Sequence, residues 1–107
     1  MSVTNIHIIS PQEAQKMMSE TNPHILLDVR TPAEYGQVRI EGAKLIPADE
    51  LGRRASAELP DKNIPVLVYC HSGARASKAV ELLTGMGYDN VLSFGGILDW
   101  PYDTVSG

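Results

Sequence analysis

The sequence holds one cysteine, Cys70, in 107 residues. A lone cysteine cannot form an internal disulfide, supply a Cys-x-x-Cys redox pair or build a cysteine-rich zinc site. What remains is a small buried hydrophobe or a reactive thiol. Basic residues are also short: 9 Lys and Arg against 13 Asp and Glu give a formal net charge of −4. That balance argues against a general nucleic-acid or anionic-membrane surface, so any anion must be held by a local pocket. No apolar run approaches the length that spans a bilayer. The segment Met1-Ser-Val-Thr-Asn5 lacks a basic stretch followed by an apolar one. The expected setting is therefore the cytoplasm, with neither nucleic acid nor membrane as partner. Internal repeats, low-complexity tracts and linkers are absent as well. The chain is too short for two ordinary domains, and one domain over residues 1–107 with one main site is expected.

What is present is an ordinary globular composition, 43% hydrophobic and 21% charged, which a disordered chain does not have. Short branched apolar runs alternate with segments of helical period, the pattern of an α/β protein with a parallel sheet and crossover helices. Ile6 to Ile9 reads as a short strand. Ser10-Pro-Gln-Glu13 then supplies a cap serine, a proline at the first helical position and a capping-box glutamate, predicting a helix to about Ser19. His24 to Val29 reads as a buried strand, Thr31-Pro-Ala-Glu34 repeats the capping pattern, and Ala43 to Ile46 is a short strand stopped by Pro47. Ala48 to Ala57 reads as a polar, exposed helix. Pro65 to Tyr69 is the most strand-like run and ends directly at Cys70. Ala74 to Thr84 carries Ala76, Ala79, Val80 and Leu83 on one helical stripe, with Gly85 and Gly87 marking its end. Asn90 to Phe94 is a last strand, followed by Gly95-Gly96 and a short helical turn with Ile97, Leu98 and Trp100.

The segment Tyr69-Cys-His-Ser-Gly-Ala-Arg-Ala-Ser77 joins the carboxyl end of the best strand to the amino end of the best amphipathic helix, where open α/β sheets bind ligands. Backbone N–H groups of such a turn converge, the helix dipole adds partial positive charge, and Gly73 admits dihedrals that a side chain forbids. An anion fits that point. A cysteine placed there gains the same stabilisation for its thiolate, the nucleophilic form, with Arg75 and His71 as sources of positive potential.

Four blocks resemble the rhodanese family, in order and through nearly the whole chain: Leu27-Asp-Val-Arg30 with Glu34-Tyr35, Ile40-Glu-Gly-Ala43 with Ile46-Pro47, the loop Tyr69 to Arg75, and Gly95-Gly96 followed by Trp100. The resemblance implies a rhodanese-like fold, a mostly parallel central sheet flanked by helices on both faces. It also implies a double displacement in which Cys70 takes the outer sulfur of a donor such as thiosulfate, carries it as a persulfide, and passes it to cyanide or a cellular thiol. Cys70 is then the catalytic residue. His71, Ser72, Gly73, Ala74 and Arg75 bind the substrate, with Arg75 holding the donor's sulfonate and the loop amides stabilising the persulfide. No cofactor and no metal is implied. Cys70 to Arg75 spans the six residues that sulfurtransferase members resemble one another in. The related phosphatases and arsenate reductases carry one residue more.

Arg39 stands where the family often has histidine, and Ala76 where it often has serine after the loop arginine; Arg39 reads as a solvated loop residue. The ending Pro101-Tyr-Asp-Thr also departs from the family's usual one. Asp28, Arg30 and Glu34 read as charge pairs bracing a loop rather than an acid–base set. His7 and His24 lack a second ligand at metal spacing. His71 is open between donor binding and a side chain facing water. Trp100 and Met17-Met18 read as core, and Arg53-Arg54 as a solvated helix face. The rival function is a non-enzymatic sulfur carrier or docking module of the same fold, working with a protein partner.

Overall fold

Val66 to Cys70 forms an interior strand, β3, with all five residues buried, in a computed structural model that describes residues 7–107. It sits in a parallel sheet of order β2-β1-β3-β4, where β1 is Ile25–Asp28, β2 is Lys44–Leu45 and β4 is Val91–Gly96. Leu27 pairs with Val68 and with Lys44, and Val68 pairs with Ser93. Because side chains alternate across a strand, Val66, Val68 and Cys70 join one core while Leu67 and Tyr69 join another on the opposite face. Each core is closed by helices. Two-sided burial is the reason β3 is apolar throughout rather than alternating.

On the first face lie α3 (Leu51–Glu58) and α4 (Ala74–Gly85), the latter burying Ala76, Ala79, Val80 and Leu83 as its spacing predicts. A fully buried Val or Leu such as these contributes roughly 1.5–3 kcal/mol of transfer free energy. α4 ends through a Schellman arrangement: Tyr88 N–H donates to Leu83 O at 3.1 Å, and Gly87 N–H to Thr84 O at 3.1 Å. Gly87 takes φ 98°, left-handed backbone that suits glycine. On the second face lie α1 (Pro11–Glu20) and α2 (Pro32–Gln37). Both start with the expected capping box, Ser10 with Glu13 and Thr31 with Glu34, each side chain meeting the other residue's N–H. Such caps are typically worth ~1 kcal/mol each. Met17, Met18 and Trp100 pack against this second core.

Four expectations change, the last of them at Arg39. The segment after Pro47 is not an exposed polar helix: a 3₁₀ turn over Ala48–Glu50 leads into α3, whose Leu51 and Ala55 are buried in the first core with Leu59 just beyond. The polar residues between them hide this narrow stripe. The strand expected from Ile6 to Ile9 is reduced to a bridge at the sheet edge, Ile8 with Ser93, and Ile6 itself lies outside the described residues. There Ile9 N–H donates to Ser93 O at 2.9 Å and Ser93 N–H to His7 O at 2.6 Å. β4 also runs on through Gly95-Gly96.

The ending packs back across the molecule. Arg39 and Val105 exchange two backbone hydrogen bonds of 2.8 Å, and Gly107 N–H donates to Gly36 O at 3.0 Å. Arg39 is accordingly half-buried rather than solvated: its guanidinium lies 4.8 Å from the Tyr35 ring centroid and donates to Gly107 O at 3.1 Å. Among the described residues no helix is long and apolar enough to cross a membrane.

Candidate active site

The chain leaves β1 toward β2 on one side and later returns as β3 on the other, so the crevice outside the carboxyl ends of β1 and β3 is a topological switch point, where open α/β sheets hold ligands. Asp28 ends one strand and Cys70 the other. From Cys70 the chain turns through His71, Ser72 and Gly73 into α4. Gly73 is the residue before the helix and has φ 117°, a left-handed conformation that strains any residue with a Cβ.

This turn folds the helix amino end back onto the sulfur. Cys70 Sγ accepts the Gly73 N–H at 3.0 Å and the Ala76 N–H at 3.4 Å, and lies 3.9 Å from Gly95 O. Two amides and the positive end of a 12-residue helix dipole thus act on one sulfur atom. Cys70 as a residue is only 1% exposed, while His71, Ser72 and Ala74 around it are exposed. Of the expected amide donors, Gly73 meets the sulfur; Ala76, one position past the loop, joins it.

The loop is pressed against the end of β4. A Cβ on Gly96 would run into His71 O and lie 2.6 Å from Ser72 Cα, so only glycine admits this approach. Leu98 N–H donates to His71 O at 3.3 Å and holds the same carbonyl from the other side. The Gly95-Gly96 pair is visible in the sequence as a motif, but its bracing role appears only once the loop is seen lying on it.

Arg75 points back across the crevice to α2. Its Nη1 and Nη2 donate to Glu34 Oε1 at 2.8 Å and Oε2 at 3.0 Å. Glu34 Oε1 also accepts the Thr31 N–H at 3.0 Å and the Thr31 hydroxyl at 3.1 Å. The Arg75 hydrogen bonds, aided by those from Thr31, overcome partial burial and hold the Glu34 carboxyl down at about 2. The same pair raises the Arg75 pKa, with a smaller contribution from Cys70. The positive potential expected from Arg75 is therefore offset by a carboxylate 41 positions away, which spacing alone does not reveal.

Asp28 and Arg30 form a second pair, joined by Nη2 to Oδ2 at 2.7 Å and by the Arg30 N–H to Oδ1 at 2.9 Å. Arg30 Nη2 also donates to Val38 O at 2.6 Å, and the guanidinium lies 5.5 Å from the Tyr69 ring centroid. Burial alone would lower the Arg30 pKa, but hydrogen bonding and charge attraction to Asp28 raise it. Burial likewise drives the Tyr69 hydroxyl up, and that oxygen accepts the Ile40 N–H at 3.1 Å. These groups brace the floor of the crevice.

Beside the loop opens a cavity of about 610 Å³, where His71, Arg30 and Glu34 face Ile97, Leu98, Trp100 and Tyr102. His71 thus lies on a wall next to Cys70. His7 and His24 lie elsewhere, with Nδ1 at 3.1 Å from Val91 O and 2.7 Å from Thr21 O. No cluster of three or more His, Cys, Asp or Glu suited to a metal occurs among the described residues.

Residues 10–101 match the family model described as the rhodanese-like domain. The chain is 41% identical over 81 residues to the thiosulfate sulfurtransferase PspE of Escherichia coli K12, covering 76% of this chain and 78% of that protein. The solved structure of a rhodanese with anions from E. coli is similar at a TM-score of 0.73 and 39% identity, covering 78% of this chain and 99% of that one. A rhodanese-like domain protein from Staphylococcus aureus is similar at a TM-score of 0.82 and 30% identity, covering 95% and 99%.

Proposed function

We propose, on the premise that this chain belongs to the rhodanese-like domain family and is a rhodanese-type sulfurtransferase, that it moves a sulfane sulfur from thiosulfate or a persulfide to a thiol or cyanide through a persulfide on Cys70. The observation that carries this route is the sulfur of Cys70 under the amides of Gly73 and Ala76 at the start of α4. Those donors are placed to meet the negative charge that the persulfide carries.

The Cys70 thiolate attacks the outer sulfur of thiosulfate, a new S–S bond forms, the old S–S bond breaks with its electron pair, and sulfite leaves. Cys70 then carries a persulfide anion. In the second half-reaction the acceptor thiolate attacks the terminal sulfur, and the Cys70 thiolate is the leaving group. Charge balances in both halves, no proton or electron is left over, and ping-pong kinetics follow. His71, Ser72 and Ala74 form the exposed rim that the donor crosses, and the N–H groups of Arg75 not engaged by Glu34 meet its sulfonate. A similar rhodanese from E. coli was solved with anions, which supports an anion-accepting site on this fold.

Mass spectrometry of the reduced protein after brief exposure to thiosulfate tests the route. One added sulfur, removed by cyanide and absent in Cys70→Ser, is the expected result. A wild-type protein that gains no sulfur would exclude direct thiosulfate chemistry and leave a carrier or docking module fed by a protein partner.

A further inference from the structure

Two features of the crevice are independent of the sulfur chemistry itself. The first is charge. Arg75, the cation nearest the loop, is tied through both terminal nitrogens to Glu34, which is itself fixed from behind by the Thr31 N–H and hydroxyl. This is a braced carboxylate at one defined place rather than a loose surface partner. Arg75 keeps free N–H groups, since a guanidinium has five, but the pair has no net charge. Arg30 is neutralised in the same way by Asp28. What attracts an anion is then the amides and the dipole of α4, equivalent to roughly half a charge. The second feature is shape. The cavity beside the loop has an apolar wall of Ile97, Leu98, Trp100 and Tyr102, and Leu98 is 66% exposed. An inorganic oxyanion makes no use of such a wall, whereas the organic group of a donor packs against it.

Resting on the sulfur-transfer function proposed above, we infer that Glu34 is a specificity-determining residue that tunes the site toward organic sulfur donors of one negative charge, R–S–S⁻ or R–SO₂–S⁻, relative to inorganic dianions. With such a donor the Cys70 thiolate takes the terminal sulfur and R–S⁻ or R–SO₂⁻ leaves, so atoms and charge balance as they do for thiosulfate. A neutral Arg75–Glu34 pair gives a second negative charge on the donor little extra attraction. Removing the carboxylate charge leaves Arg75 as a net cation at a partly exposed site, and the gain per added donor charge is on the order of three- to tenfold in affinity.

The variant to use is Glu34→Gln, because glutamine also serves at the third position of a capping box and one amide oxygen still accepts from Thr31 and Arg75. Donor kinetics are measured with thiosulfate, a dianion, and benzenethiosulfonate, an aryl monoanion, with cyanide as acceptor and thiocyanate as product. Wild type is expected to prefer benzenethiosulfonate in kcat/KM. In Glu34→Gln the ratio of thiosulfate to benzenethiosulfonate rises by about three- to tenfold, mainly through the thiosulfate KM. The rise recurs when Glu34→Gln is compared on an Arg75→Gln background, because the same unit of negative charge is removed beside the donor, whereas a purely structural role would not separate the two donors by charge. An equal change for both donors, or a loss for both, would overturn the inference and make Glu34 a brace only. Thiocyanate from neither donor in wild type would instead remove the sulfur-transfer function, and this inference with it.

Discussion

Two arginine–carboxylate pairs flank the same crevice and differ in nearly everything but chemistry. Asp28–Arg30 is closed off from water, with side chains 0% and 2% exposed; Glu34–Arg75 stands half-open, at 29% and 37%. The first joins the end of β1 to Val38 O and the Tyr69 ring, so its geometry is fixed from all sides. The second links the first turn of α4 to the first turn of α2, with solvent and the cavity nearby. Burial decides what each can do. A closed pair is expensive to break and cannot answer to a ligand, whereas an open pair contributes little to folding and is free to respond to charge in the site.

The largest effect that would sharpen this contrast comes from Arg30→Ala. It leaves the Asp28 carboxylate buried without its partner, and urea unfolding is expected to show a loss of roughly 3–5 kcal/mol. A loss no greater than for a surface residue would break the contrast. Next is Gly96→Ala, where the new methyl meets the His71 carbonyl. The loop must shift, with a cost of about 1–3 kcal/mol from overpacking. Persulfide formation should slow by on the order of tenfold or more, since small displacements of reacting atoms are costly.

Arg75→Gln should reverse the pattern of Arg30→Ala. Stability changes by less than about 1 kcal/mol, as expected of a half-exposed pair. The second-order rate with thiosulfate falls about tenfold through loss of charge-assisted hydrogen bonds. The smallest effect is the pH dependence of the open pair. The Glu34 carboxyl is held at about 2 in the folded protein against 4.5 as its ordinary value, so its contribution is fully present above pH 4.5 and is lost as pH falls toward 2. Discounted for solvent screening, it amounts to ~0.5–1 kcal/mol. The stability gap between wild type and Glu34→Gln should therefore be open at pH 7 and closed at the acid end. A gap that persists at low pH would assign it to packing rather than charge.

Much of the frame is legible in the sequence because local rules and the fold agree. Ser10-Pro-Gln-Glu13 and Thr31-Pro-Ala-Glu34 state their helix starts outright. The stripe of Ala76, Ala79, Val80 and Leu83 states which face of α4 is buried, and the apolar run into Cys70 states where the central strand ends. α3 is misjudged because its stripe of Leu51, Ala55 and Leu59, at a spacing of four, is a single residue wide and stands among polar neighbours. At the site, Cys70, Gly73 and Arg75 are legible from the strand–turn–helix junction and the family motifs. The partner of Arg75 is not, because an ion pair between residues 41 positions apart is a product of tertiary packing. The same holds for the platform under the loop. Gly95-Gly96 reads as a pair of glycines in the sequence and acquires its reason only from the carbonyl of His71 that lies against it.

The central claim is that sulfur travels through Cys70 under the amides of Gly73 and Ala76, and intact-mass measurement of wild type and Cys70→Ser after thiosulfate addresses it most directly. A single added sulfur on the wild type alone, released as thiocyanate by cyanide, is the predicted result. Sulfur gained equally by Cys70→Ser, or by neither protein, would contradict the claim.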